Sequence, residues 1–235
     1  MIAHRHILRT ARAIVTSNFV LAGLAHAQSE PRKPDVSHGA AIAAQGTATG
    51  APGCALCHAF NGASDGSGAF PRIASQPVFY LAQQLRAFAS DIRANAIMSP
   101  IAKALSDSDI ADVTAYYASV KAPYLPLATP AAALIQRGEQ LAKVGSAAKD
   151  LQACDNCHGP GGTGEPPAIP YLAGQYAQYI TFELQMWQRG YRKNSQEVML
   201  RIAGKLDDQD IAALAAYYQQ VLGSGQTPAL QQEVR

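Results

Sequence analysis

The chain uses all four of its cysteines in one five-residue pattern, written twice: Cys54-Ala-Leu-Cys57-His58 and Cys154-Asp-Asn-Cys157-His158, at an offset of 100. The repetition does not stop at the cysteines. PRIASQ at 71–76 matches PYLAGQ at 170–175, an offset of 99, and Tyr80, Leu85 and Phe88 match Tyr179, Leu184 and Trp187 at the same offset. MSPIAKALSDSDIADVTAYYASV (98–120) then matches MLRIAGKLDDQDIAALAAYYQQV (199–221) at 101. Offsets that drift slightly between blocks are what loop insertions leave behind. The chain therefore reads as two copies of one domain of roughly 90 residues.

Each copy reads as helical. Ser106 with Asp109, and Asp207 with Asp210, place a capping-box-like start before the last helix. Ile110, Val113, Tyr117 and Val120, matched by Ile211, Leu214, Tyr218 and Val221, then mark one helical face. A second helix carries Leu81, Leu85 and Phe88, matched by Ile180, Leu184 and Trp187, and a shorter one around Gly39 and Gly138 precedes each cysteine motif. No alternating strand pattern of any length occurs, so the fold class is all-α. Three or four short helices supply little core for a domain of this size, and something else must fill the middle.

The stretch from 1 to 27 holds Arg5, Arg9 and Arg12, no acid, an apolar run and a small-x-small ending at Ala25-His26-Ala27. That is the pattern of a secretory signal peptide. The apolar run is short and interrupted by Thr16, Ser17 and Asn18, which argues against a membrane span. The remaining organisation is a flexible segment over 28–35, a first domain over 36–120, a Pro-rich linker over 121–133, a second domain over 134–222 and a flexible tail over 223–235. The whole chain has 19 Lys and Arg against 17 Asp and Glu; past the leader 16 stand against 17. No basic block is left, which excludes nucleic acid as the expected partner.

Four readings compete for the cysteines. Disulfides suit an exported chain but give no reason for the histidine behind each pair. Zinc wants its two C-x-x-C arms roughly 15–20 residues apart, and a thioredoxin-like pair wants strands. Covalent haem attachment, for which C-x-x-C-H is the signature, accounts for all of it. Two thioethers from Cys54 and Cys57, or from Cys154 and Cys157, bond one edge of the porphyrin, and the adjacent His58 or His158 reaches the iron. Two covalently bound haem c groups are expected.

The methionines supply candidates for the sixth iron ligand. Met98 follows His58 at almost the same spacing as Met199 follows His158, and each is expected in a polar loop before the last helix, ahead of a Tyr-Tyr pair. Met186 has Ala87 as its counterpart and reads as a core residue. Pro71 and Pro170, which follow the two histidines at nearly matching places, could offer a carbonyl to the imidazole N–H and fix the ring. Tyr116, Tyr117, Tyr217 and Tyr218 fit either haem contact or helix packing. Arg93 and Arg192 fit either haem propionates or a solvated surface.

With both C-x-x-C-H motifs, PYLAGQ, the Y-x-x-x-x-L helix, the Gly190-Tyr191-Arg192 stretch leading to Met199 and the D-x-D-I-A-x-L-A-x-Y-Y ending, residues 36–222 resemble the cytochrome c4 family of di-haem c-type cytochromes. The resemblance implies two tandem cytochrome c-like domains, each wrapped around its haem. It also implies His58 with Met98 and His158 with Met199 as axial ligands, and a periplasmic location or peripheral attachment to the membrane. The implied role is electron transfer in a respiratory chain towards a terminal oxidase, with a quinol-oxidising complex or a dehydrogenase as donor. Similar chains also serve as cytochrome subunits of periplasmic dehydrogenases, so that alternative stands beside the free carrier. A di-haem redox enzyme is the third reading; it needs an open iron or an unusual ligand, and no cysteine is spare for one. The first copy departs from the family pattern in Ser75, where the second has Gly174, and in Asp91, where the second has Gly190.

Overall fold

The first copy is built from α1 (Val36–Gln45), α2 (Ala55–His58), α3 (Val78–Ala89), α4 (Met98–Lys103) and α5 (Asp107–Ser119). The second repeats them as α6 (Ala132–Lys143), α7 (Asp155–His158), α8 (Ala177–Gln188), α9 (Val198–Ala203) and α10 (Asp208–Gln220). Among the described residues only isolated bridges have strand-like pairing. This computed structural model describes residues 32–125 and 127–221, so the expected leader at 1–27 and tail at 223–235 lie outside the described residues, as do residues 28–31 of the segment over 28–35. No helix among the described residues is long and apolar enough to cross a membrane.

The last helix of each copy starts on a reciprocal cap. Ser106 Oγ accepts from the Asp109 N–H at 3.1 Å while an Asp109 carboxylate oxygen accepts from the Ser106 N–H at 3.0 Å; Asp207 and Asp210 do the same. Such a cap contributes about 1 kcal/mol. Against this helix the first helix of each copy crosses very closely, and the crossing point is a glycine. A Cβ on Gly39 would fall 2.1 Å from the Asp112 carbonyl oxygen, and one on Gly138 would fall 2.0 Å from that of Ala213. No larger residue leaves the two backbones at this separation.

A buried carboxylate pins each crossing. In the first copy Asp112 accepts from the Asp35 N–H at 2.7 Å and pairs with His38 Nδ1 at 2.8 Å. In the second, Arg137 donates to Asp210, which also takes Lys149. The small apolar cores lie beside these pins: Ile42, Val113, Tyr116 and Tyr117 in one copy, Leu141, Ile211, Leu214, Tyr217 and Tyr218 in the other.

The segment after α5 is extended, as its prolines dictate, but it is not loose. Ala122 is buried, Arg72 donates to the carbonyls of Ala122 and Pro123, and the Arg72 guanidinium stacks 4.4 Å from the centre of the Tyr124 ring. Tyr124 in turn lies against Gly174, where a Cβ would run into the ring.

From Pro34 onward the chain forms one compact unit, and the two copies meet through equivalent residues. Gln76 donates to the Tyr171 carbonyl at 2.9 Å and accepts from the Tyr171 N–H at 3.1 Å. Its counterpart Gln175 donates to the Arg72 carbonyl at 2.8 Å and accepts from the Arg72 N–H at 2.9 Å. Each glutamine thus closes a two-bond clasp on the backbone of the other copy, with satisfied amides at a buried joint.

Candidate haem-binding sites

Each cysteine pair and its histidine share a single helical turn. The N–H of His58 bonds back to the Cys54 carbonyl at 2.9 Å, and that of His158 to the Cys154 carbonyl at 2.9 Å. This turn brings both thiols and the imidazole to one place. Cys54 and Cys154 pack against the edges of the two apolar cores, and burial pushes each thiol up to about 11. Cys57 is half-buried, like Cys54, whereas Cys157 is exposed, as is Leu56 between the first pair. No disulfide joins the four cysteines. The first cysteine of each motif thus borders the core, and in the second motif its partner Cys157 lies at the surface.

The imidazoles are fixed in orientation. His58 Nδ1 lies 3.1 Å from the Pro71 carbonyl oxygen, and His158 Nδ1 lies 3.1 Å from that of Pro170. A carbonyl can only accept, so Nδ1 carries the proton and donates. Nε2 is left with its lone pair and makes no hydrogen bond among the described residues. Burial lowers the pKa of both rings, against the upward pull of the proline carbonyls, which favours the neutral form that binds metal.

Met98 and Met199 are not in loops. Met98 opens α4 and Met199 is the second residue of α9. Asn95 Oδ1 accepts from the Met98 N–H at 2.9 Å, and Ser195 Oγ from that of Met199 at 3.1 Å, so a polar side chain one turn earlier starts each short helix. The helices bearing the histidines pack on α1 and α6, those bearing the methionines on α3 and α8, and the two kinds make no extended contact with each other. The donor set fits haem c: two thiols at i and i+3, a neutral imidazole with a free Nε2, and a soft thioether on a separate wall.

The tyrosines brace the histidine side. Tyr116 donates to the Phe60 carbonyl at 2.8 Å and Tyr117 to that of Ala59 at 3.3 Å. Tyr218 donates to Asp155 at 2.8 Å, and Asp155 also accepts from the Gly161 N–H at 2.8 Å. Arg93 and Arg192 are not on a solvated surface. They are buried between the copies with Gln84 and Glu183, a grouping that helical periodicity assigns to no core. The only signal for it in the sequence is that polar residues stand at matching places in both copies.

Comparison with known proteins agrees with this reading. The family model described as Cytochrome c matches twice, over 36–121 and 135–221. Cytochrome c4 of Pseudomonas aeruginosa is 37% identical over 187 residues, 78% of this chain and 90% of the relative. The "Thiosulfate dehydrogenase electron acceptor" of Thiomonas intermedia is 36% identical over 168 residues, 71% of this chain and 77% of the relative. Among solved structures, reduced cytochrome c4 from Pseudomonas stutzeri aligns with a TM-score of 0.69 at 30% identity, over 80% of this chain and 99% of that one. The thiosulfate dehydrogenase TsdBA of Marichromatium purpuratum aligns with a TM-score of 0.73 at 38% identity; it covers 79% of this chain, which spans only 40% of the longer polypeptide. Two cytochrome c domains with C-x-x-C-H at 54–58 and 154–158 fit two covalently bound haem c groups, and the protein is an electron carrier. By repeat, by site and by likeness, this chain belongs to the cytochrome c4 family of di-haem c-type cytochromes.

Proposed function

We propose that the protein is a periplasmic carrier in which both irons are closed by protein ligands, His58 with Met98 and His158 with Met199, and that it passes electrons towards a terminal oxidase without chemistry of its own. When bound, each haem takes up and returns one electron. The observation that carries the reading is repeated in both copies: an imidazole anchored through Nδ1 with its Nε2 unused, and a methionine whose backbone is tied at the start of its own helix. Pro71 and Pro170 hold the rings in one tautomer, so the ligand does not swing as charge changes. Thioether sulfur favours reduced iron and raises the potential, which suits late steps in respiration.

The test is ligand access. The reduced protein should bind carbon monoxide slowly or not at all, and the oxidised protein should show the near-infrared sulfur-to-iron band. Met98→Ala and Met199→Ala should each remove part of that band, lower one potential and admit carbon monoxide at one haem. Ready binding of carbon monoxide by the unaltered protein would overturn the closed-iron reading.

A second reading concerns the donor. Relatives named as electron acceptors of thiosulfate dehydrogenase, and a thiosulfate dehydrogenase polypeptide containing a similar region, support a dehydrogenase as partner. Co-purification with a periplasmic dehydrogenase, and reduction by it at rates that respond to its substrate, would establish this donor in place of a quinol-oxidising complex.

A further inference from the structure

The two copies are nearly equivalent at their joint except at two charged positions: Arg72, whose counterpart is Tyr171, and Glu183, whose counterpart is Gln84. Tyr80 and Tyr179, Gln84 and Glu183, and Arg93 and Arg192 are three pairs related by one and the same offset in the repeat. Arg93 donates to Gln84 at 2.9 Å, to the Tyr179 hydroxyl at 2.7 Å and to Glu183. Arg192 donates to Glu183 at 2.7 Å, to Gln84 at 3.0 Å and to the Tyr80 hydroxyl at 3.4 Å, while Asn194 adds a bond to Gln84 at 2.8 Å. Both guanidiniums stack on the aromatic ring of their own copy, Arg93 at 4.4 Å on Phe88 and Arg192 at 4.6 Å on Trp187. All four polar side chains of the centre are buried. Arg93 and Arg192 thus come as a matched pair and bias neither side, while Arg72, tied to the carbonyls of Ala122 and Pro123, is the same in every variant considered below. The carboxylate has no match: where the second copy has Glu183, the first has the neutral, nearly isosteric Gln84.

We propose that Glu183 makes the two haem sites electrically unequal, holding the second domain's haem at a lower potential than the joint would otherwise give it and biasing a shared electron towards the first. The proposal rests on the reading above that each domain holds a haem between its histidine and methionine. Glu183 lies on α8, which packs on the helix of Met199, as Gln84 lies on α3, which packs on the helix of Met98. By the equivalence of the copies, Glu183 stands to the second site as Gln84 stands to the first. A buried negative charge favours the oxidised, more positive iron, and a medium of low dielectric screens it little. One electron then leaves the second iron, Fe(II) becoming Fe(III), as the first takes it, Fe(III) becoming Fe(II), with no proton or ligand exchanged. Glu183 touches neither reacting centre in this scheme; it is a positioning residue for the electron.

The test uses the full chain with both haems attached, titrated spectroelectrochemically and followed haem by haem through the haem-methyl NMR resonances. Glu183→Gln should raise the second domain's potential more than the first's, moving the internal sharing of the electron towards the second domain by roughly two- to tenfold. The exchange variant Gln84→Glu with Glu183→Gln keeps composition and charge and should move the gap the same way and further. Gln84→Glu alone, which gives each arginine a carboxylate, should lower the first domain's potential selectively and serves if Glu183→Gln does not fold. An unchanged gap in the exchange variant, or equal shifts of both haems in the single variants, would overturn the proposal. Absence of the sulfur-to-iron band from the unaltered protein would instead count against the ligand reading beneath it.

Discussion

Tyr218 shows how much of this protein rests on single polar atoms. Its ring fills the second core, and its hydroxyl reaches the Asp155 carboxylate directly beside Cys154. Burial raises the phenol far above its usual value, so it stays a donor at every working pH. Tyr218→Phe keeps the packing and removes the donor, leaving a half-satisfied carboxylate. A loss of about 1–3 kcal/mol is expected in a chemical melt, confined to the second domain's transition; no loss would show that Asp155 is served by the Gly161 N–H alone. The two departures from the family pattern also resolve at this scale. Ser75 (φ 60) and Asp91 (φ 59) stand in the same left-handed conformation as Gly174 (φ 68) and Gly190 (φ 70). The first copy tolerates side chains there because each gains a partner: Ser75 Oγ donates to the Val120 carbonyl at 2.8 Å, and Asp91 accepts from Lys103 at 2.6 Å.

Among elements, the crossing of first and last helix decides the geometry of each copy. Gly138→Ala puts a methyl into the Ala213 carbonyl and the Tyr217 side chain, so α6 must move off α10. The expected cost is about 1–3 kcal/mol, read as a lower melting temperature, with lost near-ultraviolet dichroism from Tyr217 and Tyr218. A variant as stable as the parent would mean that the helices can separate without penalty. This scale also shows what the sequence could tell. The last helices were legible from Ser106 and Asp109 and from their apolar spacing, because a cap and a helical face are local. The short helices that carry the methionines near their starts were not. So short a segment gives no periodic signal, and its start depends on the Asn95 or Ser195 side chain folding back on the backbone. The glutamine clasps and the arginine centre were equally hidden, since periodicity describes what a helix shows its own copy and these residues serve the other one. For the same reason a Pro-rich stretch read as a linker is in fact held down by Arg72, whose partners are the carbonyls of Ala122 and Pro123, far along the chain.

For the molecule as a whole, buried carboxylates set the response to acid. Burial alone would raise the Glu183 carboxyl, but Arg93 and Arg192 bring it below the usual value; Lys149 and Arg137 do the same for Asp210. A depressed carboxylate contributes stability that is complete above its unfolded value and is lost as the pH falls through its folded one. Melting temperature should therefore hold from neutral pH down to about pH 4 and fall below it, as the joint and the α6–α10 pin take up protons. Glu183→Gln should be less stable at neutral pH and should lose less on acidification. Parallel acid profiles for variant and parent would show that the joint carries no share of the response.

The paired glutamines of the joint are the arrangement of an isologous dimer, in which residue i of one subunit meets j of the other and j meets i. In a true homodimer every substitution at such an interface arrives twice. A carboxylate at the place of Glu183 would be faced by a second one, and the centre would be neutral and even-handed. Joining the copies in one chain removes that constraint. Two halves that still clasp each other as equals can then differ where they meet, as Glu183 differs from Gln84, and a polarity that no symmetric assembly of identical subunits can possess is written into the sequence.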